Sequence, residues 1–155
     1  MFLKVRWPIV LHPDAIHNFQ LWEEFGNLLC IENMDKRKHI GRYKKELDYI
    51  FERLPNARFC LDMAHARQVD SSMTEAYTIL KNFGHRLLQL HISEVNTSSK
   101  HDHISQGASR AFKEIAHLIP PNVPAILETP VLEEEIEEEL ARSRDSLTSE
   151  PVLTT

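Results

Sequence analysis

The chain has 155 residues, which suits one domain with a sizeable core and leaves too little for two full domains. Hydrophobic residues make up 42% and charged residues 26%, the balance of an ordinary globular protein, and no apolar run approaches the ~20 residues of a membrane span. The net charge of −5 weighs against a broad basic face for nucleic acid, although it does not exclude a local basic groove.

The amino terminus and the two cysteines favour a cytoplasmic protein. Pro8 interrupts the first apolar run and no small-residue cleavage site follows, so the start lacks the features of a signal peptide. Cys30 and Cys60 each lie within an apolar run. Buried free thiols in a reducing compartment fit that placement better than a disulfide framework.

Five apolar runs have the length and composition of strands. They are continuously apolar rather than alternating, which is typical of parallel strands covered on both faces. In chain order they are VRWPIVLHP (5–13), NLLCIEN (27–33), RFCLDMAH (58–65), RLLQLHISE (86–94) and VPAILETP (123–130).

Helix-like stretches separate and follow these runs. Apolar side chains at helical spacing, with capping residues and stops at their ends, predict helices over 14–24, 43–54, 72–83, 108–119 and 132–143. The alternating order predicts right-handed βαβ crossovers and one parallel sheet, with roughly 30 residues in each middle unit. We expect a single α/β domain over residues 1–145 and a flexible tail over 146–155.

A residue that can bind a metal or carry a proton lies near the end of every run. In chain order these residues are His12, Glu32, Asp62, His91 and Glu128. Because side chains alternate along a strand, the same face should carry, one layer below, Val10, Cys30, Cys60, Gln89 and Ile126. Any one member could simply be a cap or a surface residue. Five at one rim, where parallel α/β proteins build their sites, predict a metal centre.

Three further histidines lie close to these strand ends in the sequence. His65 follows Asp62 by three positions and is expected in the loop just beyond the strand. His101 lies in KHDHISQG (100–107), from which it could reach back over the rim. His103 competes with it, but an exposed loop histidine is the simpler interpretation.

The segments VLHPDA, CIENMD, CLDMAHA, LQLHISE, HDHISQG and AILETP resemble the xylose isomerase-like barrel superfamily in order and spacing. This superfamily includes the sugar phosphate isomerase/epimerase group and the endonuclease IV type of abasic-site nuclease. The resemblance runs from about residue 5 to residue 131, and it depends on the ordered set because no single motif is specific.

The resemblance implies a partial (β/α)8 TIM barrel. The family barrel usually needs ~250 residues, and the five strands here correspond to its fourth through eighth, with the first three βα units missing. Five strands cannot close such a barrel, so we expect exposed sheet edges beside His12 and Glu128. We therefore expect either a fragment of a longer protein or a chain covered by a partner or by another copy. Such a truncated form could also bind metal without catalysing.

The resemblance to the isomerases and epimerases implies one divalent ion, Mn²⁺, Mg²⁺, Co²⁺ or Zn²⁺, and a sugar or sugar phosphate as substrate. The matching ligand positions are Glu32, Asp62, His91 and Glu128. Glu32 and Glu128 match the acid–base residues and His65 a contact to a substrate oxygen. In this chemistry the ion stabilises an enediolate after proton loss. The missing barrel half is expected to be needed for activity.

The nuclease branch implies an alternative, a zinc-dependent phosphoesterase with three ions. The matching ligands are His12, Glu32, Asp62, His65, His91, His101 and Glu128. Ser99 stands where an aspartate ligand is expected, and a further histidine would come from the missing units. The net charge also disfavours DNA as a partner.

A basic loop follows Glu32. Its sequence is NMDKRKHIGRYKK (33–45), and Arg37, Lys38 or Arg42 could hold a substrate phosphate. A solvated loop is the simpler interpretation of these charges.

Overall fold

A computed structural model describes residues 7–148 of the chain. This part of the molecule contains the strands β1 (Ile9–Leu11), β2 (Leu29–Glu32), β3 (Arg58–Asp62), β4 (Leu87–Ile92), β5 (Glu94–Val95), β6 (His101–Asp102) and β7 (Ala125–Leu127). Five of them form one parallel sheet in the order β1-β2-β3-β4-β7, which curls into a half-barrel. The predicted parallel α/β arrangement is therefore confirmed. Val5 and Arg6 of the first predicted run lie outside the described residues.

The helices of this region are α1 (Phe19–Glu23), α2 (Lys44–Arg53), α3 (Met63–Val69), α4 (Thr74–Phe83), α5 (Gln106–Ala116) and α6 (Ile136–Ser146), and short 3-10 turns cover Pro13–Ala15, Gly26–Leu28, Gly84–Arg86 and Glu133–Glu135. The predicted helices are present, with ends displaced by a few residues. The helix α6 reaches Ser146, whose side chain is fully buried, one residue beyond the predicted domain end. Residues 149–155 of the predicted tail lie outside the described part.

Two elements were not predicted. Met63–Val69 forms α3 directly after β3, so the prediction that His65 lies in a loop is wrong. The helix begins there because the side chain of Asp62 caps it, accepting a hydrogen bond from the backbone N–H of His65 at 2.7 Å. The strands β5 and β6 pair as a small antiparallel hairpin, which places His101 on a strand.

The apolar core lies on the face of the sheet that the helices cover, the convex face. Alternate strand residues, including Ile31, Phe59 and Leu90, are fully buried there. Phe51 of α2 and Phe83 of α4 pack against Phe59, with ring centroids 6.1 and 6.5 Å from it. Burial of this face stabilises the sheet and leaves the other, concave face for polar groups.

The sequence predicted that the five strands end at a common level, but neighbouring strands are offset from one another along their axes. Neighbouring strands place Cys60 opposite Glu32, Asp62 opposite His91 and His91 opposite Ile126. The five strand-end residues therefore share the concave face, but the expectation that Cys60 and Ile126 lie one layer below them is wrong. A curled sheet requires this offset because its strands tilt relative to the axis of curvature.

Both outer strands have an open edge. Within residues 7–148, β1 pairs only with β2 and β7 pairs only with β4, as expected for a sheet that does not close. Ile126 of β7 is 44% exposed. Among the described residues, no helix combines the length and apolarity needed to cross a membrane.

Candidate metal centre

Asn33 and Asp62 fix the ends of the two central strands. The side-chain oxygen of Asn33 accepts a hydrogen bond from the backbone N–H of Asp62 at 2.7 Å, and its amide nitrogen donates to the Asp62 carbonyl at 3.0 Å. The backbone carbonyl of Asn33 lies 3.1 Å from Nδ1 of His65. Asn33 was not singled out in the sequence. Its place directly after Glu32, at a buried strand end, was the only available signal.

Glu32 lies at the centre of a group of histidines. Its Oε2 is 3.3 Å from Nε2 of His12 and 3.5 Å from Nδ1 of His91, and its Oε1 is 3.4 Å from Nδ1 of His65. The Glu32 side chain is only 3% exposed. A buried carboxylate with three imidazoles around it is an arrangement suited to ion binding or proton transfer.

Glu128, at the end of β7, extends this group. Its Oε1 is 3.0 Å from Nδ1 of His91, and its Oε2 is 3.7 Å from Nε2 of His101. The hydroxyl of Ser93 lies 2.8 Å from Nδ1 of His101 and orients that ring. On the other side of His91, the amide nitrogen of Gln89 lies 2.9 Å from Nε2.

Burial and mutual charge shift the pKa values of these groups. Burial alone would raise the pKa of Glu32, but its close contacts with the imidazoles of His12, His65 and His91 outweigh burial and lower that pKa far below its ordinary value. Burial would lower the pKa of the two inner histidines, yet the adjacent carboxylates raise it to about 9 for His65 and about 10 for His91. Burial raises the pKa of the Asp62 carboxyl.

Three groups of three side chains have ligand atoms within 4.8 Å of one another. They are Glu32–Cys60–His91, Glu32–Asp62–His65 and Asp62–His101–Glu128. We call these seven residues together the strand-end cluster. His12 contacts Glu32 but belongs to none of the three groups.

Two atoms of the strand-end cluster have unmet bonding capacity. Within the described part of the chain, Oδ2 of Asp62 and Nδ1 of His91 are buried and have no hydrogen-bond partner. Nδ1 of His91 is close to Glu128, but the alignment is not that of a hydrogen bond. Buried polar atoms are rarely left in this state without an ion, a water molecule or a ligand. The donor set and these two atoms therefore fit a bound divalent cation.

The structure brings together every predicted metal and acid–base residue. Arg37 and Lys38, the predicted phosphate ligands, are instead ion-paired with neighbouring carboxylates. Arg37 binds Asp35 through 2.9 and 3.0 Å contacts, and Lys38 pairs with Asp14. His103 contacts Glu139 of α6 at 3.1 Å, away from the cluster.

Comparison with protein-family models finds no match for this chain, and neither does comparison with curated proteins. Its function is therefore inferred from its own residues and their geometry.

Proposed function

We propose that the chain is a divalent-metal-dependent isomerase or epimerase of a sugar or sugar phosphate, on a partial TIM barrel of the xylose isomerase-like superfamily. The observation that carries this proposal is the pair of buried, unpartnered ligand atoms, Oδ2 of Asp62 and Nδ1 of His91, inside the strand-end cluster. The cluster lies at the carboxyl ends of parallel strands, where α/β barrels hold their sites.

Glu32, Asp62, His91 and Glu128 would hold the ion. Mixed carboxylate and imidazole ligands suit Mn²⁺, Mg²⁺, Co²⁺ or Zn²⁺. When bound, such an ion supplies positive charge that binds the oxygens of a keto sugar and stabilises negative charge formed on proton loss.

The protein's own side chains would move the proton. Glu32 is ionised at neutral pH because three histidines surround it and lower its pKa, and the same low pKa makes it a weaker base than an ordinary glutamate. Glu128 is more open, with 27% of its side chain exposed, and stands at the far side of His91. Two carboxylates on either side of a substrate allow removal of a proton by one and return by the other.

His65 would position the substrate. Its Nδ1 contacts the Asn33 carbonyl and Glu32, which leaves Nε2 as the atom that can bind a substrate oxygen. These contacts of Nδ1 leave the ring little freedom to turn away.

Exchange of substrate C–H hydrogen with solvent tests this function. The full chain, loaded with each of the four metals, is incubated in D₂O with a panel of ketoses, aldoses and their phosphates, and deuterium incorporation is followed by NMR. We expect metal-dependent exchange that Glu128→Gln abolishes. Glu137→Gln, a change at an exposed position of α6, is the matched control. Absence of exchange from every substrate, both in the folded, metal-loaded chain and in a barrel completed with the three missing βα units, would overturn the proposal.

A zinc phosphoesterase is the second candidate, and one observation favours it. His65 and His101 belong to separate three-residue groups within the cluster, which provides ligands for more than one ion. Incubation of the zinc-loaded chain with a duplex containing an abasic site tests this candidate. Nicking that His101→Gln abolishes would support it, and an intact duplex would exclude it.

A further inference from the structure

We infer that Cys60 supplies a sulfur ligand to the metal centre, so that the site prefers zinc or cobalt to magnesium. This inference rests on the metal site of the proposed function and specifies which ion that site takes. It concerns a residue that the sequence placed only in the layer below the ligands.

The stagger between β2 and β3 places Cys60 beside the ligands. The register pairs Glu32 with Cys60 across the two strands, so both side chains stand at the same level on the concave face. Ligand atoms of Glu32, Cys60 and His91 all lie within 4.8 Å of one another. One sulfur, one oxygen and one nitrogen can therefore reach a common ion without movement of the strands.

The surroundings of Cys60 add a second, independent observation. Nδ1 of His91, in the same group, is buried and unpartnered within residues 7–148. The residue His91 is 7% exposed and Cys60 is fully buried. An ion bound by Cys60 and by this nitrogen would meet the bonding capacity of the imidazole and would lie among buried side chains.

Cys30 provides an internal comparison. Its thiol neighbours that of Cys60, and it is equally buried, but the register pairs it with Val10, one layer below Glu32. It belongs to none of the three ligand groups. The two cysteines therefore share chemistry and burial and differ in their distance from the ligand layer.

A sulfur ligand changes which ions the site accepts. Thiolate is a soft ligand that favours zinc and related transition metals, whereas magnesium prefers oxygen ligands and retains bound water. On binding, the Cys60 S–H bond is replaced by a sulfur–metal bond and one proton is released to solvent. The centre would otherwise contain only oxygen and nitrogen ligands.

Cobalt(II) absorption tests the inference directly. The full chain is titrated with CoCl₂ under argon with a phosphine reductant that does not bind cobalt strongly. We expect an intense near-ultraviolet sulfur-to-cobalt charge-transfer band that saturates with binding. The band should vanish in Cys60→Ser and persist in Cys30→Ser. We also expect Cys60→Ser to weaken zinc binding by more than the ~10–100-fold typical of outer-shell changes, with a smaller effect on magnesium.

The outcomes separate this inference from the proposed function. Weak visible cobalt bands without the charge-transfer band, in the wild-type chain, would show a metal site that lacks sulfur and would overturn only the role of Cys60. A band lost in Cys30→Ser but kept in Cys60→Ser would also overturn it. No cobalt binding by a chain that circular dichroism shows to be folded would overturn both. If Cys60→Ser fails to fold, the spectrum of Cys30→Ser decides the question, because Cys60 is then the one thiol left in the chain.

Discussion

The two faces of the parallel sheet are made of alternate residues of the same strands, yet they differ in almost every physical respect. The convex face carries Ile31, Phe59 and Leu90, and the helices bury it completely. The concave face carries Glu32 and His91 among others, buried with shifted pKa values, and Nδ1 of His91 has no hydrogen-bond partner within residues 7–148. The first arrangement stabilises the fold, and the second holds ionisable groups in place at a cost in stability.

Truncation on the convex face should give the largest effect. Phe59→Ala removes a fully buried ring that packs against two other phenylalanines, so we expect a loss of about 3–5 kcal/mol in the free energy of unfolding. Ile126→Ala, at a half-exposed position of the edge strand, should cost less than about 1 kcal/mol. Urea denaturation measures both. Equal losses would show that the convex face does not dominate stability.

Substitution on the concave face should reverse the pattern, with a large effect on metal binding and little on folding. Asp62→Asn keeps an oxygen that can cap α3 but removes the charge, so we expect zinc affinity to fall at least about 100-fold, or about 2.8 kcal/mol. Stability of the metal-free chain should be unchanged or higher, because burial penalises the Asp62 carboxylate.

Isothermal titration calorimetry with zinc and urea denaturation with EDTA give these two quantities. Asp145→Asn changes an exposed carboxylate of α6 and serves as the control. A variant that binds zinc as tightly as the wild type would remove Asp62 from the ligand set.

The pH dependence of the metal-free chain should come from the concave face. His65 and His91 have folded-state pKa values of about 9 and about 10, above the ordinary 6.5, so they bind protons more tightly when folded. Their contribution to stability is complete below about pH 6.5 and is lost as the pH rises through 9–10. We expect the free energy of unfolding to fall by several kcal/mol over that range.

Urea denaturation with EDTA at several pH values measures this fall. His65→Gln should reduce it, whereas His103→Gln, which changes a histidine paired with Glu139 outside the cluster, should not. A flat profile would mean that the cluster does not hold its protons as described.

The smallest effect on zinc affinity is expected from substitution of a residue that contacts a ligand but does not bind the ion itself. Gln89→Leu removes the hydrogen bond to Nε2 of His91 but keeps a similar volume, so we expect zinc affinity to fall about tenfold. Gln68→Leu, at a glutamine that bonds Ser99 instead, should leave the affinity unchanged. An unaltered affinity in Gln89→Leu would show that packing alone orients the His91 ring.

The features that were predictable are those that repeat along the chain. Continuous apolar runs identified all five strands of the sheet, and a polar residue at each run's end located the candidate site. The stagger was not predictable, because it depends on strand tilt and not on any local sequence signal. It is the stagger that brings Cys60 level with Glu32.

The missed elements are short and depend on single contacts. The helix α3 has seven residues and begins at the cap supplied by Asp62, and a capping role for the strand-end residues was recognised only in general and not used to predict a helix there. The hairpin of β5 and β6 has two residues in each strand, too few to show any periodicity. Propensity summed over a window cannot detect such elements.

Asn33 has a consequence for how this protein can change over evolutionary time. Its side-chain amide takes the place of a peptide group between β2 and β3, so Asp62 is held without any help from the backbone that follows. That backbone is free to form a loop, which returns at Gly41, where the backbone has a positive φ and packs tightly against Pro13. Loop length between residues 35 and 40 is thereby uncoupled from the position of Asp62. Insertions there could reshape the approach to the cluster and give new substrate preferences, while the ligand itself stays in place.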